Sequence, residues 1–142
     1  MTYINAELRR LVVDRAGDCC EYCRRSQSDH QFSFHVEHVI AEKHNGQTVQ
    51  ENLALSCPEY NIFKGSDVAS YDNGELTPLY NPRIQLWNDH FQLNGAKIEP
   101  LTREGRVTVS LLQMNRPEVI AERGLFIRLG TYPCKSGNQE RS

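Results

Sequence analysis

Apolar residues recur along the chain with two different periods. Over residues 5–16, Leu8, Leu11 and Val12 fall at helical spacing, with Asn5 suited to the N-cap and Gly17 to the stop. This predicts a first helix packing on the core. Cys20-Glu21-Tyr22-Cys23 reads as a tight knuckle, and residues 24–31 as a polar loop without periodicity. The period then drops to two. Phe32, Phe34, Val36 and His38 alternate with Ser33, His35, Glu37 and Val39, which predicts a strand. Adjacent residues of a strand diverge, so Glu37 and His38 converge on one target only if the strand twists or ends there. Residues 41–50, with Asn45-Gly46 inside them, read as a connecting loop, and residues 52–56 as a short returning strand. Pro58 suits the first turn of a helix carrying Asn61 and Lys64. The predicted order is β, β, α.

Beyond that unit, Gly65-Ser66-Asp67 and Asp72-Asn73-Gly74 are turn signals, and Leu79 to Arg83 leads to Trp87. Residues 91–98 read as a hairpin about Asn94-Gly95, with Leu93 and Ile98 facing inward. Residues 101–114 fit a strand or a helix. Pro117 with Val119, Ile120, Leu125, Phe126 and Leu129 predicts a last helix, and from Tyr132 onward the composition predicts a frayed tail. The fold class expected is α+β: a ββα core at about residues 34–66, an N-terminal helix, and a C-terminal hairpin-plus-helix extension. Residues 1–131 would form one domain and 132–142 a flexible tail.

The chain has 142 residues, which suits one domain with a modest core. No apolar run approaches the roughly 18 residues needed to span a bilayer. The start lacks the basic and apolar regions of a secretory signal. A cytoplasmic protein with no membrane partner is expected. The net charge of −2 and pI near 6.2 argue against a generally sticky nucleic-acid binder. The charge is uneven, however. Residues 37–75 carry seven acids against Lys43 and Lys64, whereas residues 76–142 carry nine basic residues against six acids. An acidic centre suits a divalent cation and an arginine-rich second half suits phosphates, although solvated surface charge gives the same counts.

Cys19, Cys20 and Cys23 crowd together ahead of Cys57 and Cys134. Five cysteines without a secretory signal read as a metal or free-thiol pattern before a disulfide framework.

The most specific pattern is Glu37-His38, then Asn52 14 residues after His38, then Asn61 9 residues later, in Asn52-Leu53 and Asn61-x-x-Lys64-Gly65 contexts. Each residue type alone is common, and the order with both spacings is what discriminates. This pattern resembles the HNH nuclease family, with His38, Asn52 and Asn61 as its three members. Ile40-Ala41-Glu42-Lys43-His44, Asn81-Pro82-Arg83 with Trp87, and Gly105 to Val109 resemble a stand-alone bacterial and phage subgroup, over about residues 19–130.

The resemblance implies a ββα-metal core and a metal-dependent endonuclease acting on DNA. It makes His38 the general base, Glu37 and Asn61 the oxygen donors to Mg²⁺ or Mn²⁺, and Asn52 the brace that holds the base in place. The products would carry 5′-phosphate and 3′-hydroxyl ends. Lys64, Arg83, Arg103 and Arg106 are candidate phosphate contacts, with a solvated face an equal reading for Lys64. His30, His35, His44 and His90 have no place in the motif.

Many relatives of this kind add structural zinc between two Cys-x-x-Cys pairs. Here Cys20 and Cys23 form the first pair, but Tyr60 stands where the partner of Cys57 would be. A closed zinc site then needs Cys19, a histidine or water as fourth ligand. Without zinc, Tyr60 would pack against the cysteines as small buried hydrophobes. Two other readings fit the same residues less completely: a non-catalytic nucleic-acid-binding module on the ββα scaffold, and a zinc-stapled interaction domain that leaves Glu37 and Asn61 without a role.

Overall fold

Asn5 accepts a hydrogen bond from the Leu8 amide at 2.8 Å and starts α1 (Ala6–Ala16), which Gly17 ends in the left-handed conformation at φ 64°. The structure is a computed structural model and describes residues 3–135. Its next elements are β1 (His35–His38), β2 (Leu53–Ser56) and α2 (Pro58–Lys64). β1 and β2 pair antiparallel with His38 opposite Leu53 and Val36 opposite Leu55. Pro58 opens α2 at a position where its missing N–H costs nothing.

A second hairpin follows, β3 (Ala69–Asp72) with β4 (Glu75–Pro78), turning at Asn73-Gly74. The short α3 (Trp87–His90) runs into a third hairpin, β5 (Phe91–Asn94) with β6 (Lys97–Pro100), in which Leu93 pairs with Ile98 as the alternation predicts. Its two loop residues are Gly95 and Ala96, one step later than the Asn94-Gly95 turn expected. Residues 103–111 resolve the strand-or-helix ambiguity as α4 (Arg103–Leu111), because the Thr102 hydroxyl accepts from the Gly105 amide at 3.0 Å and caps it. A Cβ on Gly105 would stand 2.4 Å from the His90 carbonyl oxygen, so α4 crosses this hairpin where only glycine fits. The last helix is α5 (Pro117–Leu129). The fold is α+β, three small antiparallel hairpins among five α-helices and three short 3-10 turns in the described residues. No described helix is long and apolar enough to cross a membrane.

The core gathers Val12 and Ala16 of α1, Tyr22, Phe34, Leu53 and Leu55 of β2, Trp87, Phe91, Ile98, Leu112 and Met114. All of β2 is buried, so both of its edges need partners. β1 supplies one. On the other edge the Leu55 amide donates to Glu21 Oε2 and the Glu21 amide donates to the Leu55 carbonyl, both at 2.9 Å. Arg15 and Arg83 donate to the Leu53 carbonyl at 2.6 and 3.1 Å.

Three expectations change here. The strand begins at His35, so Phe32 lies outside it and is 62% exposed. The tail is anchored where it was expected to fray. Tyr132 is buried, its hydroxyl donates to the Cys23 carbonyl at 2.7 Å, and Cys134 forms a disulfide with Cys19. Residues 136–142 of that expected tail lie outside the described residues. The disulfide also corrects the cysteine reading, since Cys19 is no longer a thiol that could complete a zinc site. Cys20, Cys23 and Cys57 remain free thiols.

Candidate active site

β1 ends at His38, which is the condition under which neighbouring Glu37 and His38 can serve one site. Both line a cleft of about 820 Å³ that Asn61 and Gly65 of the α2 end, Ala41 and Glu42 also border. His38 is half-buried and its Nε2 lies 2.8 Å from the Thr48 hydroxyl. Nδ1 is left without a partner among the described residues. Thr48 carried no signal in the sequence, being a lone hydroxyl in a polar loop.

Asn52 holds that loop to the hairpin. Its Oδ1 accepts from the Ile40 amide at 2.9 Å, while its Nδ2 donates to the carbonyls of Ile40 and Gln47, each at 2.9 Å. The Asn52 carbonyl in turn accepts from the Val39 amide at 2.8 Å. Gly46 lies against this bridge, and a Cβ there would meet the Ile40 carbonyl oxygen at 1.7 Å and Asn52 Nδ2 at 2.9 Å. The loop therefore closes only with glycine at 46, and it delivers Thr48 to His38.

Glu37 is 5% exposed. Burial pushes its carboxyl up to about 7, against the pull of the Lys64 ammonium and the nearby Tyr22 hydroxyl. Lys64 Nζ stands 3.9 Å from Oε2, whereas Oε1 is buried with no hydrogen-bond partner. The Tyr22 hydroxyl that acts on this carboxyl is likewise buried without a geometric hydrogen bond. With the amide oxygen of Asn61 on the same cleft, the donors are hard and fit a small divalent cation.

The four basic residues expected at phosphates are placed differently. Lys64 is 2% exposed and donates to the Val39 carbonyl at 2.9 Å, so its charge faces the protein. Arg83 forms a short buried ion pair with Glu21, which fixes it as a structural residue. Arg106 grips Asp72 through two bonds of 3.0 and 2.9 Å, and Arg103 reaches Glu75 at 2.6 Å. These pairs tie α4 to the β3–β4 hairpin and hold the Asp72 carboxyl below its usual range. None of the four lines the cleft. Their charge pattern in the sequence reflects internal pairing.

Three sulfurs converge at the knuckle. Sγ atoms of Cys20, Cys23 and Cys57 all lie within 4.8 Å of one another, with Cys23 and Cys57 3.6 Å apart. Burial pushes the Cys20 and Cys57 thiols up. Burial acts the same way on Cys23, but hydrogen bonds from the other two thiols and the charge of Arg123 prevail and lower it. Tyr60 is buried beside them, as its position in the interrupted pair predicts. A cavity of about 220 Å³ reaches Cys23, Cys57 and Tyr60 from the α5 side. Three thiols of this kind are a partial metal site, whose metal the donors alone do not specify.

A hairpin ending in a histidine is thus followed by an asparagine-braced loop and a helix that returns a second asparagine. The family model described as HNH endonuclease matches residues 20–66, which run from the knuckle through α2. Over those residues the chain is similar to HNH endonuclease domains. Residues after 66 lie outside the match. Comparison with curated proteins and with solved structures yields no match.

Proposed function

We propose that the chain is a metal-dependent endonuclease that hydrolyses DNA phosphodiester bonds in the cleft between β1 and α2. The observation that carries this reading is that Glu37, His38 and Asn61 all line one cleft, on which they are the carboxylate, the imidazole and the amide that the motif calls for. Residues 34–66 form the ββα-metal core of a single domain, and the other described residues, anchored through Tyr132 and Cys134, support it.

His38 takes the proton of the attacking water through Nδ1, and Thr48 fixes the ring by holding Nε2. Asn52 keeps the loop bearing Thr48 closed on the hairpin, so its contribution is to position the base. Glu37 and Asn61 would hold Mg²⁺ or Mn²⁺, and Lys64 steadies one oxygen of Glu37. When bound, the cation supplies neutralisation of charge on the phosphate and on the departing 3′ oxygen. The products are a 5′-phosphate and a 3′-hydroxyl.

Supercoiled plasmid incubated with Mg²⁺ tests the reading directly. Nicking is expected with the wild type, is lost in EDTA, and falls by about 10²- to 10⁴-fold in His38→Ala while DNA binding persists. Binding without any nicking by the wild type would return the chain to a non-catalytic nucleic-acid module.

A further inference from the structure

The cleft has a second wall that the chemistry above does not use. Tyr3, Ile4 and Arg9 form it, from the segment leading into α1 and from the first turns of α1 itself. Ile4 packs against the core and Asn5 caps the helix, so the segment is fixed in place. Tyr3, in contrast, is 80% exposed. Arg9 is also exposed, and its side chain makes no hydrogen bond or ion pair among the described residues.

Both residues are singular in their surroundings. Among the described residues Arg9 is the one lysine or arginine lining the cleft, whose acids are Glu37 and Glu42. Tyr3 is the one lining phenylalanine, tyrosine or tryptophan with its ring in solvent, because Phe34 is 4% exposed. With Lys64 and Arg83 buried, and Arg103 and Arg106 paired at the surface with Asp72 and Glu75 away from the cleft, Arg9 is the cation at hand for a phosphate entering the site. A free guanidinium and a free aromatic ring on one cleft are the elements by which proteins hold an unpaired strand, one tracking the backbone and one stacking a base. A base inside a duplex has both faces covered by its neighbours and offers none to such a ring.

Resting on the nuclease reading, we propose that this wall binds the substrate as single-stranded DNA, with a phosphate on Arg9 and an unpaired base stacked on Tyr3. The chain would then act on single strands, flaps or frayed ends in preference to intact duplex.

The test is fluorescence anisotropy of the full chain with a labelled oligo-dT and with the corresponding dT·dA duplex, in EDTA so that binding is read without turnover. The wild type is expected to bind the single strand more tightly. Tyr3→Ala should weaken single-strand binding by roughly 5- to 150-fold, the range for losing one stacked base, and Tyr3→Phe should retain it. Arg9→Ala should reduce the salt slope on the single strand by about 0.7. Single-strand binding unchanged in Tyr3→Ala, an equal loss in Tyr3→Phe, or a wild-type preference for duplex would each overturn the proposal. A chain that binds single strands through Tyr3 yet nicks nothing with Mg²⁺ overturns the nuclease reading and leaves this site standing. A chain that nicks plasmid while Tyr3→Ala binds like wild type does the reverse.

Discussion

Lys64 Nζ lies 3.9 Å from Glu37 Oε2 and donates to the Val39 carbonyl at 2.9 Å, so one ammonium clamps the carboxylate and the backbone just past His38. Lys64→Met keeps most of the volume and removes both interactions. Stranding one partner of a buried pair costs on the order of 3–5 kcal/mol. Thermal or urea unfolding should show that loss, and Mg²⁺-dependent nicking should fall with it. If Lys64 instead served the DNA, stability would hold and only binding would weaken.

The loop over the site depends on Gly46 and Asn52 together. Gly46→Ala forces the Ile40 carbonyl and Asn52 apart, a strain of about 1–3 kcal/mol. Asn52→Ala removes three side-chain hydrogen bonds of the same bridge. Each variant should lose most nicking activity while its far-ultraviolet circular dichroism stays near wild type. Because both act on one closure, the double variant should lose less stability than the two single losses added together, which a double-mutant cycle measures.

The acid side of the stability profile should report Asp72. Its folded value is depressed, first by the Arg106 hydrogen bonds and then by the charges of Arg106 and Arg103. A depressed carboxylate adds stability above its unfolded value near 3.8, and that part is lost as pH falls through the folded value. Asp72→Asn should therefore melt below wild type at neutral pH. The gap should close at strongly acid pH, where a gap that persisted would point to packing alone.

Tyr60→Cys would complete the second Cys-x-x-Cys pair facing three sulfurs already within 4.8 Å of one another. The variant should bind one zinc and melt higher, offset by a few kcal/mol for the tyrosine volume lost from a packed spot. Elemental analysis of both proteins purified without EDTA decides this. Stoichiometric zinc in the wild type would identify a fourth ligand already present, and none in either would mean that the sulfurs do not close on the metal.

Local chemistry was legible in the sequence. Asn5 and Gly17 bound α1 because a cap and a left-handed stop are properties of single residues, and Leu93 faces Ile98 because alternation survives in a short hairpin. The motif spacings likewise brought Glu37, His38 and Asn61 to one cleft. What failed was the state of charged and sulfur groups whose partners are remote. Arg83 reads as a solvent-facing cation until Glu21, 62 residues earlier, buries beside it. Cys134 reads as tail until it meets Cys19 across 115 residues. Residues 69–78 gave only their turn, because β3 and β4 keep few buried positions to alternate.

The Cys19–Cys134 bond changes what a break in the chain means. Every peptide bond between these residues, the loop of residues 39–52 included, lies inside one covalent ring. A protease that cuts once within it severs the backbone but releases no fragment, so a nicked molecule keeps nearly its full mass until a reductant opens the ring. Electrophoresis of limited digests, run side by side with and without dithiothreitol, would show the pieces only in the reduced lane. The ring also holds a cut loop next to its own partners, so the two new ends remain at high effective concentration and a nicked domain can stay assembled.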